Sequence, residues 1–237
     1  MWETTVNGRV LHFHLAGINN QNFIMRDEET GSWWQQVTGE AIQGPMKGRH
    51  LRSVIHDELT FGLWKSENPQ GRVLKPDEAI ARAGKYATAD WEQRMAKVPV
   101  ATTATLDKTL DPRMLVVGIE LNQAARAYPF DAVLKQSPII DNLAGEPIMI
   151  VVGDDKKSVR AFDRLVDGRK LEFFVKPNVS PLRLVDAETG SEWDFTGRGL
   201  AGAFNGKQLP RIYALNDFWF DWKTYNPNTS IYQLGNR

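Results

Sequence analysis

Apolar and polar residues alternate along much of this chain in short spans that end at glycine, asparagine or aspartate. The segments "GRKLEFFV" (168–175), "PLRLVD" (181–186) and "SEWDF" (191–195) are of this kind. Such spans read as short, half-buried strands. The continuous apolar runs "MLVVGI" (114–119) and "IMIVV" (148–152) are also strand-sized. "NGR" at 7–9 and "DGR" at 167–169 are hairpin signals, because Asn and Gly accept positive φ. In "EETG" (28–31) Gly31 occupies the left-handed position of a four-residue turn, and Gly190 does so in "AETG" (187–190). Asp27 and Asp186 stand where they can accept backbone N–H bonds inside those turns.

Helical spacing appears in four places. "PDEAIARAGKYA" (76–87) and "TADWEQRMAK" (88–97) are helix-like, the second capped by Thr88 or Asp90. Phe61 with Trp64, and Trp219 with Trp222, lie three residues apart and share a helix face. Asp57 and Asn216 are the expected caps of these two helices, prolines stop them, and their aromatic faces are expected in the core.

The chain repeats itself. Residues 2–15 align with 162–175, "RDEETGSWW" (26–34) with "VDAETGSEW" (185–193), and 38–51 with 196–209. The match closes with Trp64 against Trp222 and Asn68-Pro69 against Asn226-Pro227. Two copies of this length indicate duplication with pseudo-twofold pairing rather than a solenoid. A fold-demanded turn recurs in every copy, whereas a catalytic carboxylate is needed once per active site. Asp27, Glu29, Asp186 and Glu188 are therefore read as turn residues.

A strand-rich block at 113–155 precedes copy two and has no counterpart before copy one, which begins at Trp2 opposite Phe162. The expectation is a natural gene product longer at its N-terminus. The predicted fold is β-dominated α+β: two pseudo-repeats of antiparallel strands, a short helix in each, and a helical insert. It is expected as a single compact unit over residues 1–237, with repeat one at 2–74, insert and connector at 75–113, and repeat two at 114–237.

Composition narrows the function classes. Lys plus Arg and Asp plus Glu both number 29, and no long run of one sign occurs. A phosphate-tracking surface needs clustered positive charge, so nucleic acid is not an expected partner. No segment approaches the roughly 20 apolar residues of a membrane-spanning helix. The absence of cysteine removes disulfides, thiolate catalysis and Cys-ligated metals. Eight Trp and eleven Phe supply large aromatic packing and contact surfaces.

Taken together, "VVGIE…AARAYPFD", "IIDNLAGEPIMIV", "AFDRLVDGRKLEF", "TGSEWDFTGR" and "FWFDWKTYNPNT" resemble a widespread bacterial family, domain of unknown function 3179. The resemblance covers nearly the whole chain and brings no established activity. Many relatives carry a Cys-x-x-Cys where this sequence reads "GDDKKS" around Gly153 to Lys156. Any metal or redox chemistry those cysteines support is absent here. The family's Asn-Asp before a glycine turn appears as Ile140-Asp141, so Asp141 is the retained candidate. The resemblance also implies an extracytoplasmic, periplasmic or membrane-associated location.

Differences between the copies point to a specific task. All four histidines lie in copy one: His12, His14, His50 and His56 face Glu172, Phe174, Gln208 and Ala214. His12 and His14 alternate on an expected strand and point to one side, the spacing of a strand-borne metal pair. His50 and His56 would lie about 20 Å apart along an extended strand. Trp33 faces Glu192, and Glu40 faces Arg198. Trp33 beside Trp34 cannot share its face on a strand, so one of them looks outward as a contact anchor.

No G-x-S-x-G, Walker loop, H-E-x-x-H or glycine-rich strand-to-helix turn occurs. The expected function is a non-catalytic binding or accessory protein engaging a protein assembly, with Trp33, Glu40 and Asp141 as contact candidates and no cofactor. A metal-dependent or hydrolytic enzyme, using a divalent ion at His12 and His14 or the histidines with Asp141 or Glu40, is the alternative. Carbohydrate binding at Trp33 is a third reading.

Overall fold

The computed structural model describes residues 1–102 and 105–235. Repeat one opens with a ribbon of β1 (Thr5–Val6) and β2 (Arg9–Val10) around Asn7-Gly8, both at positive φ. Next comes a four-stranded antiparallel sheet in chain order, β3 (Phe13–Asn19), β4 (Asn22–Asp27), β5 (Trp33–Gln35) and β6 (Ala41–Gln43), and then α1 (Phe61–Glu67). The insert holds α2 (Glu78–Arg82) and α3 (Trp91–Met95). These helices have no buried residue.

Repeat two begins with β7 (Leu115–Leu121), β8 (Ala124–Pro129), α4 (Phe130–Lys135), β9 (Ile139–Leu143), β10 (Glu146–Val152) and β11 (Val159–Asp163). It then repeats the pattern of repeat one: a ribbon of β12 (Leu165–Val166) and β13 (Arg169–Lys170), followed by a sheet of β14 (Phe173–Val175), β15 (Arg183–Asp186), β16 (Glu192–Asp194) and β17 (Gly199–Ala201). β18 (Arg211–Ile212), β19 (Leu215–Phe218), α5 (Trp219–Tyr225) and β20 (Ser230–Ile231) complete it. Two more four-stranded sheets run in the orders β18-β11-β10-β9 and β19-β7-β8-β20. The fold is β-dominated α+β, antiparallel apart from the β8–β20 pair. Among the described residues no helix is long and apolar enough to cross a membrane.

The continuous apolar run of β10 follows from burial on both faces. Ile148, Ile150 and Val152 join a cluster with Val117, Tyr128 and Val133. Met149 and Val151 join another with Phe162, Phe173 and Trp193. Repeat one has a smaller core around Leu11, Trp34 and Leu51.

The repeated D-x-x-T-G-S-x-W turn is one structure written twice. Asp27 is fully buried and accepts from Thr30 N (2.5 Å), Ser32 N (3.1 Å) and the Trp34 indole (2.7 Å). Asp186, equally buried, accepts from Thr189 N (2.7 Å) and the Trp193 indole (2.9 Å). Gly31 and Gly190 take the expected positive φ. Burial raises the Asp27 pKa, but the hydrogen bonds from Trp34, Thr30 and Ser32 outweigh it and the net shift is downward. Glu29 and Glu188 reach back to the backbone N–H of His12 and Glu172, both at 2.9 Å. Each turn thus satisfies buried donors that water cannot reach.

The expected helix ends and faces need correction. α1 is capped by Thr60, whose hydroxyl accepts from Leu63 N, not by Asp57. α5 follows Phe218 with no side-chain cap, and Asn216 lies in β19. α1 has no buried residue, whereas Trp219, Phe220 and Trp222 of α5 are buried. Asp57 is diverted because Arg160, itself buried, claims it. Arg160 donates to Asp57 Oδ2 (2.9 Å) and Glu67 Oε2 (2.7 Å), while its guanidinium lies 4.6 Å from the Phe195 ring centroid. Arg211 also pairs with Asp57. Leu59 and Leu63 then pack onto the Trp193 cluster of repeat two.

Two stability outcomes follow. Asp186→Ala strands the Trp193 and Thr189 N–H groups and destabilises by about 2–4 kcal/mol in urea unfolding. Arg160→Ala leaves Asp57 and Glu67 without their shared cation and costs about 3–5 kcal/mol by the same measurement.

Candidate functional site

Pseudo-symmetry places α1 against repeat two and α5 against repeat one, with different chemistry at each junction. The sequence match that pairs Trp64 with Trp222 sets Leu59 and Leu63 against Asp217 and Asp221. Where Leu59 and Leu63 meet a core, Asp217 of β19 and Asp221 of α5 line a cavity. That cavity, about 220 Å³, is lined by Trp2, Asn22 and Gln36 of repeat one, by His56 and Glu58, and by Tyr213, Asn216, Asp217 and Asp221 of repeat two.

Asn22, at the turn end of β4, donates to Asp221 Oδ1 at 2.5 Å. Gln35 of β5 donates to the Tyr225 hydroxyl at 2.5 Å. Phe218 N donates to Asp217 Oδ1 at 2.7 Å. His56 Nε2 is 3.9 Å from Glu58, and its ring centroid is 5.1 Å from that of Tyr213. The Met1 amino group lies 3.3 Å from His56 Nδ1.

Three carboxyl groups here are shifted upward. Burial raises Asp217 first, and the nearby Asp221 charge adds to it. Burial raises Asp221 too, partly offset by the Asn22 hydrogen bond. Glu58 rises by burial against smaller opposing contributions from Asn216 and His56. Burial, with the Glu58 and Asp217 charges, pushes the Tyr213 phenol up to about 12. Two carboxyls this close resist ionising together. Asp57 shows the contrast: its burial is outweighed by Arg160 and Arg211, and its pKa falls. The cavity therefore sets two carboxyl groups of raised pKa beside hydrogen-bond donors and acceptors that a small polar group could meet.

The residues singled out in the sequence lie elsewhere and apart. His12 sits just before β3 rather than on it, with Nδ1 2.6 Å from Glu29 Oε1. The Glu29 hydrogen bond and charge raise the His12 pKa. His14 lies on β3 in a cross-strand row with Arg26 and Trp33. His50 Nε2 lies 4.0 Å from Glu40, its partner in an isolated β-bridge. Trp34 is fully buried and Trp33 half-buried, its ring lying over Gly17. Asp141 accepts from Arg126 (2.6 Å) and the Tyr128 hydroxyl (2.7 Å), and lines a groove between β9 and β14 that includes neither Trp33 nor Glu40. Among the described residues no group of three or more His, Asp or Glu side chains is placed to hold a metal ion.

Sequence reasoning passed over Asp217, Asp221 and Glu58. The signal was in the same comparison that exposed the histidines: aspartates in one copy opposite leucines in the other.

Fold and site define a two-repeat, β-dominated protein with an acidic cavity at one inter-repeat junction and a buried ion network at the other. The chain belongs to the family described as "Protein of unknown function (DUF3179)", matched over residues 1–229. No curated protein and no solved structure matches it.

The cavity gives a pH-dependent outcome. A folded-state Asp217 with a raised pKa holds its proton where the unfolded residue has lost it, so stability falls as pH rises above the ordinary carboxylate range. Asp217→Asn removes that loss. It raises the thermal midpoint by about 2–4 °C or more at about pH 8 and leaves it little changed near about pH 3.5, as differential scanning calorimetry would show.

Proposed function

We infer that this protein is a non-catalytic binding or accessory protein that engages a protein partner through the β3–β4 hairpin. One observation carries the reading. Among the described residues β3 ends its sheet with one edge unpaired, and the hairpin exposes Leu15, Ile18 and Phe23. Ile18 and Phe23 are directly opposed across the two strands. An open strand edge flanked by exposed apolar side chains is a template for strand addition or face-on docking.

The hairpin is also held in place. Gln21 at its tip donates to Ala101 O (3.2 Å) and accepts from Arg113 (2.9 Å). A fixed hairpin loses little freedom when a partner docks. His14, Arg26 and half-buried Trp33 form a cross-strand row on the other face of the same sheet, three strand positions out of phase with Phe23. His12 and His50 face Glu29 and Glu40, which supports a structural use of those histidines over a shared reactive centre. The extracytoplasmic location implied by the family resemblance completes the proposal.

The test is gentle purification from the native source with quantitative mass spectrometry of what co-migrates. A stoichiometric protein that accompanies the wild type and is lost from an Ile18→Asp, Phe23→Asp variant of unchanged thermal midpoint supports the reading. Migration of the wild type alone would sink it.

A further inference from the structure

The two repeats differ most in what covers their final helix. In repeat two, α5 lies on the sheet β19-β7-β8-β20, in which the β7–β8 hairpin fills the space between β19 and β20. β7 pairs with all four residues of β19, and Trp219 N donates to Met114 O just before β7. Trp222 presses on Gly118 of β7 so closely that an added Cβ would stand 2.3 Å from the ring. On the other side, β20 runs parallel to β8, and Tyr232 N donates to Ala127 O.

Repeat one keeps both borders of this arrangement, and among the described residues no strand lies between them. α1 ends as α5 does: the Asn68 backbone and side chain both donate to Trp64 O, as Asn226 does to Trp222 O. Segment 57–60 is the counterpart of β19 and segment 72–74 of β20 with Tyr232, yet neither belongs to a strand. Phe61 is 63% exposed where Trp219 is 1% exposed. Leu74 is 94% exposed where Tyr232 is 7% exposed. Ile55 and Val73 are exposed beside them. Four large apolar side chains are left bare around two segments that no described strand pairs with, and the internal copy shows what fits there.

We propose that the face formed by α1 and segments 57–60 and 72–74 binds an apolar β-hairpin of the β7–β8 type, supplied by a partner protein. The first strand pairs antiparallel with 57–60 and carries a glycine against Trp64, as Gly118 lies against Trp222. The second strand runs parallel to 72–74. The binding surface is distinct from the β3–β4 hairpin, so the two readings stand or fall separately.

The probe is a fluorescent peptide with the sequence of residues 113–129, titrated into the full chain and followed by anisotropy and amide hydrogen exchange. Saturable one-to-one binding is expected, with new protection at 57–60 and 72–74. Binding weakens at least about tenfold when the peptide glycine equivalent to Gly118 becomes valine, or when the protein carries Val73→Asp and Leu74→Asp, a loss of about 1.4 kcal/mol or more. Ile18→Asp leaves it unchanged. Absence of saturation, protection confined to β3, or indifference to the Val73→Asp, Leu74→Asp pair would overturn the proposal. So would a chain that dimerises by this face in analytical ultracentrifugation and becomes monomeric in that variant, because a second copy would then be the occupant.

Discussion

A buried positive charge must be neutralised where it lies, and Arg160 imposes that condition on the junction between the repeats. Its guanidinium draws Asp57 from the segment before α1 and Glu67 from α1 itself, residues far apart in sequence from β11. Once both carboxylates are held, Leu59 and Leu63 between them are set over the Trp193 cluster. Apolar burial alone would allow α1 to slide, since hydrophobic contact is non-directional. A bidentate carboxylate pair does not slide, and Asp155 adds a further fixed point by accepting from the Thr60 hydroxyl at 2.6 Å.

The other junction solves the same geometric problem with opposite chemistry. Asp217 of β19 and Asp221 of α5 stand where repeat one has Leu59 and Leu63, and among the described residues no arginine is hydrogen-bonded to either aspartate. There burial raises the Asp217 carboxyl, while an Asn22 hydrogen bond and the Arg113 charge act on Asp221. Arg160 and Arg211 lower the Asp57 carboxyl at one junction, while burial raises Asp217 and Asp221 at the other. A duplicated architecture has in this way acquired two differently responsive seams.

Much of this was legible in the chain. Period-two alternation located the hairpin sheets, and the repeated turn motif located Asp27, Gly31, Asp186 and Gly190, because local backbone demands dictate those residue types. Partners remote in sequence were not legible. Asp57 looked like a helix cap until Arg160 competed for it, and the indole partners of Asp27 and Asp186 needed the folded hairpin to bring them close. The aromatic pair on α1 looked like core because its spacing matches that of α5; whether a face is covered depends on a neighbouring sheet that helical periodicity does not encode. His12 fell outside its expected strand because Glu29 claims both its backbone N–H and its ring.

β10 carries a consequence for how the molecule comes apart. Its odd and even residues belong to different clusters, so a single strand is a party wall between two rooms. Withdrawing it exposes both at once, and a slip of one residue would exchange the contents of each. The two clusters therefore share one fate: repeat two melts as a cooperative block, with β10 and its bonded neighbours β9 and β11 the last amides to open.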